Sequence, residues 1–204
     1  YNGSGVTIDN DQNTGRFINP QALDDNLDIL YSNASGGNRD SIAQYKDIKT
    51  VPVRDNLYSS LLAGGATALK VSPYTLVSSM LFVGTRVGKV IKVENANSAN
   101  PTWTNIKNNI SVTGSISSIE FGNDEDEIFV TFHNYGVKSI WYTTNGGSSW
   151  QSKEGDLPDI PVKAIMMNPL NNDQVIIGTE LGVWTTSNFK EASPTWVQAN
   201  NGMS

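Results

Sequence analysis

The carboxylates are the residues of this sequence with the most evident capacity for chemistry. Asp24, Asp25, Asp28, Asp124, Glu125, Asp126, Glu127 and Asp173 are the candidates, since two carboxyl groups opposed across a cleft can hydrolyse a glycosidic bond. Nearly all of them fall between short runs of β-branched residues, where Asp is expected for another reason: its side chain bonds the backbone of the turn that carries it. The run GNDEDE, Gly122 to Glu127, reads as a solvated turn on that argument.

A second cluster is DNDQNTG, Asp9 to Gly15, which sets Asp9, Asp11 and Asn13 at alternate positions. Calcium loops use that spacing to gather several oxygens from one tight turn. Here the glycine comes one position late for such a loop, and the twelfth position is Pro20 in place of glutamate. An Asn/Asp-rich loop is the simpler reading, with calcium at Asp9, Asp11 and Asn13 left open; no metal site is assigned and no cofactor is called for. The single histidine, His133, reads as a solvent-facing residue at a strand end, because zinc and triad chemistry recruit imidazoles in company.

The whole chain narrows these choices. It has 204 residues with 14 Lys+Arg against 20 Asp+Glu, a formal net charge of -6. Nucleic-acid binding is not expected, because it needs clustered cations to displace counterions from phosphates. With no cysteine, disulfides and thiolate metal sites are excluded. No apolar run approaches the roughly 18 residues of a membrane span. The chain opens with Tyr1 in place of methionine, and we expect a processed or excerpted polypeptide. Abundant Asn, Ser, Thr and Gly beside only 17% charged residues lean towards a secreted or surface protein.

The elements that must position any site follow from an internal repeat. Trp103, Trp150 and Trp196 recur at intervals of 47 and 46 residues, and Gly88, Gly136 and Gly182 at 48 and 46. Each unit carries Val/Ile-rich runs of about five residues bounded by Asn, Asp, Gly and Pro, which are strand and turn signals. No sustained helical period competes with them. In the last unit the strands are expected at 162–167, 174–178, 182–186 and 195–199, with the turn NPLNND, Asn168 to Asp173, closing the first hairpin. A divergent leading unit has a turn at Asn19-Pro20, strands near 29–33 and 41–45, and a Gly36-Gly37 turn. The segment from Arg54 to Gly65 reads as a connection or an elaborated loop.

Four short strands in about 45 residues is the size of a propeller blade. The expected fold is therefore all-β, a β-propeller of about four blades of four-stranded antiparallel sheet, over residues 16–53, 66–106, 115–153 and 162–199. Propellers have roughly four to eight blades, so part of a larger propeller is the favoured reading and a closed four-bladed ring the alternative.

Within the third unit, WYTTNGGSSW contains Thr143-x-Asn145-x-Gly147-x-Ser149-Trp150. It resembles the Asp-box, S/T-x-D-x-G-x-T/S-W, of BNR-repeat propellers. A short amide or acidic side chain there accepts hydrogen bonds from the turn's N–H groups, glycine supplies a positive φ, and the tryptophan covers the turn. Asn145 stands where the family prefers Asp, which keeps the acceptor oxygen and drops the charge. The corresponding stretches VENANSANPTW and TTSNFKEASPTW keep Trp and a hydroxyl residue but lose the glycine and lengthen the turn. With phrases such as LFVGTRVGKVIKVENANSANPTWTNI and IIGTELGVWTTSNF, the chain is similar over most of its length to sortilin-type propellers of secreted or cell-surface Bacteroidetes proteins. Those proteins often carry a C-terminal sorting domain, so the resemblance implies export.

What the resemblance implies for activity divides. A sialidase would need an arginine trio to clamp a carboxylate, and Arg16, Arg39, Arg54 and Arg86 lie in no Phe-Arg-Ile-Pro-like motif. A xyloglucan-cleaving glycosidase would need the opposed acids. The expectation is a noncatalytic extracellular module that recognises a protein or a carbohydrate ligand at the cell surface through loops on a rigid ring. Tyr135 and Tyr142 are the aromatics expected to stack on it. The alternative is part of a glycoside hydrolase whose catalytic acids lie outside this chain. If the chain is part of a larger propeller, its terminal sheets would expose edges and apolar faces, so self-association or enclosure by another chain is then expected.

Overall fold

The computed structural model describes residues 8, 13–36 and 39–199; Asp9 and Asp11 of the calcium-like loop, and Gly37 of the Gly36-Gly37 turn, lie outside them. Sixteen strands form four antiparallel four-stranded sheets, each in simple sequence order. Sheet 1 contains β1 (Gln21–Asp24), β2 (Ile29–Asn33), β3 (Ile42–Lys46) and β4 (Val53–Leu57). Sheet 2 contains β5 (Ala66–Val71), β6 (Leu81–Thr85), β7 (Val90–Glu94) and β8 (Thr102–Asn105). Sheet 3 contains β9 (Ile116–Phe121), β10 (Ile128–Phe132), β11 (Ile140–Thr143) and β12 (Gln151–Ser152). Sheet 4 contains β13 (Val162–Asn168), β14 (Asn171–Thr179), β15 (Gly182–Thr186) and β16 (Val197–Gln198).

The sheets stack face to face through their first strands, β1 against β5, β5 against β9 and β9 against β13. No comparable contact joins β13 back to β1 among the described residues. Period-two alternation makes both faces of the middle sheets apolar. In β6, Leu81 and Val83 pack with Ile29, Tyr31 and Ile42 of sheet 1, whereas Phe82 packs with Ile116, Ile128 and Val130 of sheet 3. In β10, Phe129 faces the other way and joins Ile165, Val175 and Ile177 of sheet 4. The sheets approach so closely at Gly84 that a Cβ there would lie 2.3 Å from Ile116 Cγ2. Only a glycine fits that crossing.

Several local expectations change. Arg54 is not in a connection: Val53–Leu57 pairs along β3 from Ile42↔Leu57 to Lys46↔Val53. It is an outer edge strand, exposed at Val53 and at two of its polar residues, so burial never required the β-branched run that marks the inner strands. A short 3-10 turn, Ser60–Leu62, follows it and is capped by the Ser59 hydroxyl. Asn19-Pro20 precedes β1 and does not turn it. The turn is Asp25 to Asp28, where Asp24 Oδ1 accepts from Leu27 N at 3.1 Å and Asp28 adopts φ 56°. In sheet 4, Asn171 already pairs with Asn168, so the hairpin tightens to Pro169-Leu170 and the Asn171 to Asp173 segment is strand. Gly88, Gly136 and Gly182 all have positive φ in the hairpin between second and third strands.

Candidate functional site

The residues of WYTTNGGSSW build a hydrogen-bonded hairpin between β11 and β12. Thr143 Oγ1 accepts from Asn145 N and Gly147 N, each at 3.2 Å, and donates to Asn145 Oδ1 at 2.8 Å. Asn145 Oδ1 also accepts from Ser149 N at 2.9 Å, while its Nδ2 donates to Ser149 Oγ at 2.9 Å. Gly146 and Gly147 supply positive φ. Trp150 reaches further than the turn. Its indole Nε1 donates to Ile106 O at 2.8 Å and its backbone N to Asn109 Oδ1 at 2.8 Å, both in the connection that leaves sheet 2. The hairpin is thus a clasp between neighbouring sheets.

Sheet 4 repeats the clasp in the corresponding stretch TTSNFKEASPTW, through Thr186, Asn188 and Asp156, which sequence reasoning did not single out. Thr186 Oγ1 donates to Asn188 Oδ1 at 2.8 Å, and Asn188 Oδ1 accepts from Thr195 N at 2.9 Å. Trp196 N donates to Asp156 Oδ1 at 2.7 Å and its Nε1 to Lys153 O at 3.1 Å. Asp156 follows Asn109 by the same 47 residues that separate Trp103 from Trp150, a signal that was legible. Trp103 also packs towards the preceding sheet, but it lies within β8, paired with Val93.

The candidate acids collect on the end of the molecule that carries this hairpin, and most are engaged by their own turns. Asp24 is buried and accepts from Leu27 N and from the Ser79 hydroxyl. Asp25 and Asp28 pair with Lys49. Asp124 Oδ1 accepts from Asp126 N and Glu127 N at 3.0 and 2.9 Å. Glu125 accepts from Thr75 Oγ1 at 2.7 Å. Buried Glu127 is held by Asn123 N, Asn123 Nδ2 and the Tyr142 hydroxyl. Asp126 and Asp173 lend backbone carbonyls to the Gly146 and Phe189 amides. Glu127, Tyr142 and Lys153 line a polar cavity of about 460 Å³. Burial, and then the bond to Glu127, push the Tyr142 hydroxyl well above its usual range, while burial lowers Lys153. Tyr142, expected as an exposed aromatic, is instead 7% exposed and packs edge-on to Phe189. Its alternation in β11 turns it into the junction between sheets 3 and 4. A larger cavity of about 770 Å³ lies on the face of sheet 4 that no described residue covers, over Met166, Ile176 and Val197.

The opposite end carries the more open constellation. Tyr135, in the loop between β10 and β11, is 58% exposed, and its hydroxyl donates to Glu180 Oε2 at 3.0 Å. Glu180, in the tight turn before β15, accepts from Lys163 Nζ at 2.7 Å. Lys163 also lies against the His133 ring, 2.9 Å from Nε2, and Asp159 Oδ1 accepts from Gly136 N at 2.7 Å. The Lys163 bond, then the Tyr135 bond, hold the Glu180 carboxyl below its usual range, and the Glu180 bond raises Tyr135. At neutral pH this is an anionic carboxylate gripping the protonated phenol of an exposed tyrosine. His133 is exposed just beyond the end of β10. Asn13 is exposed. Among the described residues no group of three or more His, Cys, Asp or Glu is placed to hold a metal, and no helix is long and apolar enough to cross a membrane.

Antiparallel four-stranded sheets stacked in chain order through their first strands define a β-propeller architecture. No family profile matches the sequence, and no curated protein resembles it by sequence. Among solved structures, the GH74 enzyme of Niastella koreensis superposes with a TM-score of 0.64 at 21% identity, covering 90% of this chain. The chain spans 30% of the length of that enzyme. At that identity the likeness establishes the fold, which is that of a β-propeller.

Proposed function

We propose that this chain is a recognition module of the Asp-box, sortilin-type class of propellers, within a secreted or cell-surface protein, and that it binds a glycan on the end bearing Tyr135. The observation that carries the reading is the Tyr135–Glu180–Lys163 constellation. A flat ring held by its hydroxyl loses little freedom when a sugar stacks on it, and the carboxylate and ammonium beside it offer an acceptor and donors to sugar hydroxyls. The likeness to a glycoside hydrolase propeller supports a carbohydrate ligand over a protein one. The Thr143–Asn145–Ser149 bonding and its echo at Thr186–Asn188–Thr195 support the Asp-box assignment. The acids gathered at the other end are bonded into their own turns, which favours binding over hydrolysis.

A glycan array with the full chain tests this. Binding to a defined neutral or acidic oligosaccharide is expected, weakened about tenfold by Tyr135→Ala, the size of one well-seated contact residue. Array silence with capture of a cell-surface protein would favour protein recognition. Release of reducing sugar from a β-glucan would replace the module reading with the glycosidase one.

A further inference from the structure

Three of the four arginines, Arg16, Arg39 and Arg86, gather on the Tyr135 end of sheets 1 and 2, in a protein of net charge -6. Arg39 is engaged, its guanidinium 3.9 Å over the Tyr58 ring. The other two line a cavity of about 430 Å³ together with Ser35, Asp40 and Gly64. That volume falls within the range of about 300–1,000 Å³ usual for small-ligand sites. Arg16 is fixed in place by Nη2 donating to Gly64 O at 2.8 Å. The Arg86 backbone is fixed by its N–H donating to Gly65 O at 3.2 Å, while its exposed guanidinium has no hydrogen-bond or ion-pair partner among the described residues.

Two further features show a built pocket. Ser35 is 8% exposed, and its hydroxyl is among the few buried side-chain polar atoms with no hydrogen-bond partner; such a group costs free energy unless something satisfies it. Gly65, at φ +75°, packs so closely against two of the lining residues that a Cβ there would lie 2.9 Å from Arg16 Nη2 and 3.1 Å from Ser35 Oγ, so only glycine fits beside them. Asp40 sets the charge. Its Oδ2 accepts from Gly64 N at 2.9 Å, so two guanidiniums and one carboxylate leave a single positive charge in the cavity. That suits a singly charged, planar acceptor better than a phosphate dianion, and guanidinium forks match carboxylate geometry.

We infer that Arg16 and Arg86, with Ser35, form a binding pocket for the carboxylate of an acidic sugar. The sugar part of the inference rests on the glycan reading above; the carboxylate part rests on the pocket alone. The test is amide chemical-shift mapping on the full chain, titrated separately with galacturonate, its methyl ester, galactose, inorganic phosphate and a blocked aspartate. Galacturonate is expected to move the Gly64, Gly65 and Arg86 amides while the ester and galactose leave them in place. Arg86→Gln should weaken galacturonate about tenfold, the loss of one charge-assisted contact, and Ser35→Ala by less. Among the described residues Arg86→Gln removes no intramolecular bond of that side chain, so an unchanged spectrum away from the pocket should confirm its fold. Equal shifts with the ester, or unaltered galacturonate affinity in Arg86→Gln, would overturn the pocket. Tighter binding of phosphate would overturn the single-charge argument, and tighter binding of blocked aspartate the sugar assignment. Tyr135→Ala should leave these shifts intact, so failure of the Tyr135 reading and failure of this one are separately visible.

Discussion

Glu154 is a carboxyl group almost wholly removed from water, 5% exposed at the junction between β12 and the connection to sheet 4. It accepts from Ser139 N at 2.7 Å, yet burial outweighs its hydrogen bonds and holds its carboxyl above the usual glutamate range. The consequence for stability has a definite sign. Between the unfolded value and the raised folded one, the native protein keeps a proton that the unfolded chain has released, so stability falls as pH rises through that window. Glutamine retains an acceptor for Ser139 N without the charge. Glu154→Gln is therefore expected to lose the pH penalty. The melting temperature of the variant relative to the parent should climb from the ordinary Glu range upward and level off above the folded value. A difference that is flat with pH would show that desolvation of Glu154 is not costing the fold anything.

At the scale of the element, the two hairpin clasps differ in how much backbone depends on one hydroxyl. Thr143 Oγ1 satisfies the buried Gly147 N as well as Asn145 N, whereas Thr186 Oγ1 accepts only from Asn188 N, at 3.3 Å. Thr143→Val keeps the shape and strands a buried donor, which should cost about 1–3 kcal/mol, with Thr186→Val nearer to about 1 kcal/mol. Urea denaturation of both variants checks the ranking, and equal losses would place the stability of the clasp in Trp150 and Trp196 instead. The contrast also shows what the sequence could disclose. Inner strands such as Ile128–Phe132 are buried on both faces, so their apolar runs were plain, and the tryptophan period located each clasp. Thr186 and Asn188 were hidden because six residues from Phe189 to Pro194 separate them from Thr195. Edge strand β4 was hidden because solvent faces it, and Tyr142 was misplaced because alternation decides its side only once the register is known. The site at Tyr135 joins loops of sheets 3 and 4, and the Arg16–Arg86 cavity joins sheets 1 and 2. Neither leaves a local pattern.

At the scale of the whole molecule, the outer face of sheet 4 keeps the form of a face that is covered elsewhere. Met166, Ile176, Thr185 and Val197 stand in one cross-strand row, and Met166, Ile176 and Val197 are 63%, 42% and 61% exposed. By the order of the strands Ile176 occupies the place of Phe129, which is fully buried by the next sheet. Gly178 occupies the place of Gly84, in the related sequences VIIGT and LFVGT. At Gly84 the slot is filled by Ile116, whereas a Cβ at Gly178 would meet only Ala164, at 3.9 Å. Among the described residues nothing covers this apolar row and its empty slot, which is an unmet packing surface, and in a solution of this chain alone a second copy can cover it. Such a contact joins unlike faces and need not close. Concentration-dependent association is therefore expected in sedimentation velocity, and Met166→Lys with Ile176→Lys should abolish it without lowering the melting temperature. Filling the slot discriminates further. Gly178→Val should weaken association while the fold persists, because the space is open, whereas Gly84→Val should unfold the chain, because Ile116 is already there. A monodisperse monomer at high concentration, or a Gly178→Val variant that associates like the parent, would mean that this face is not a sheet-docking surface.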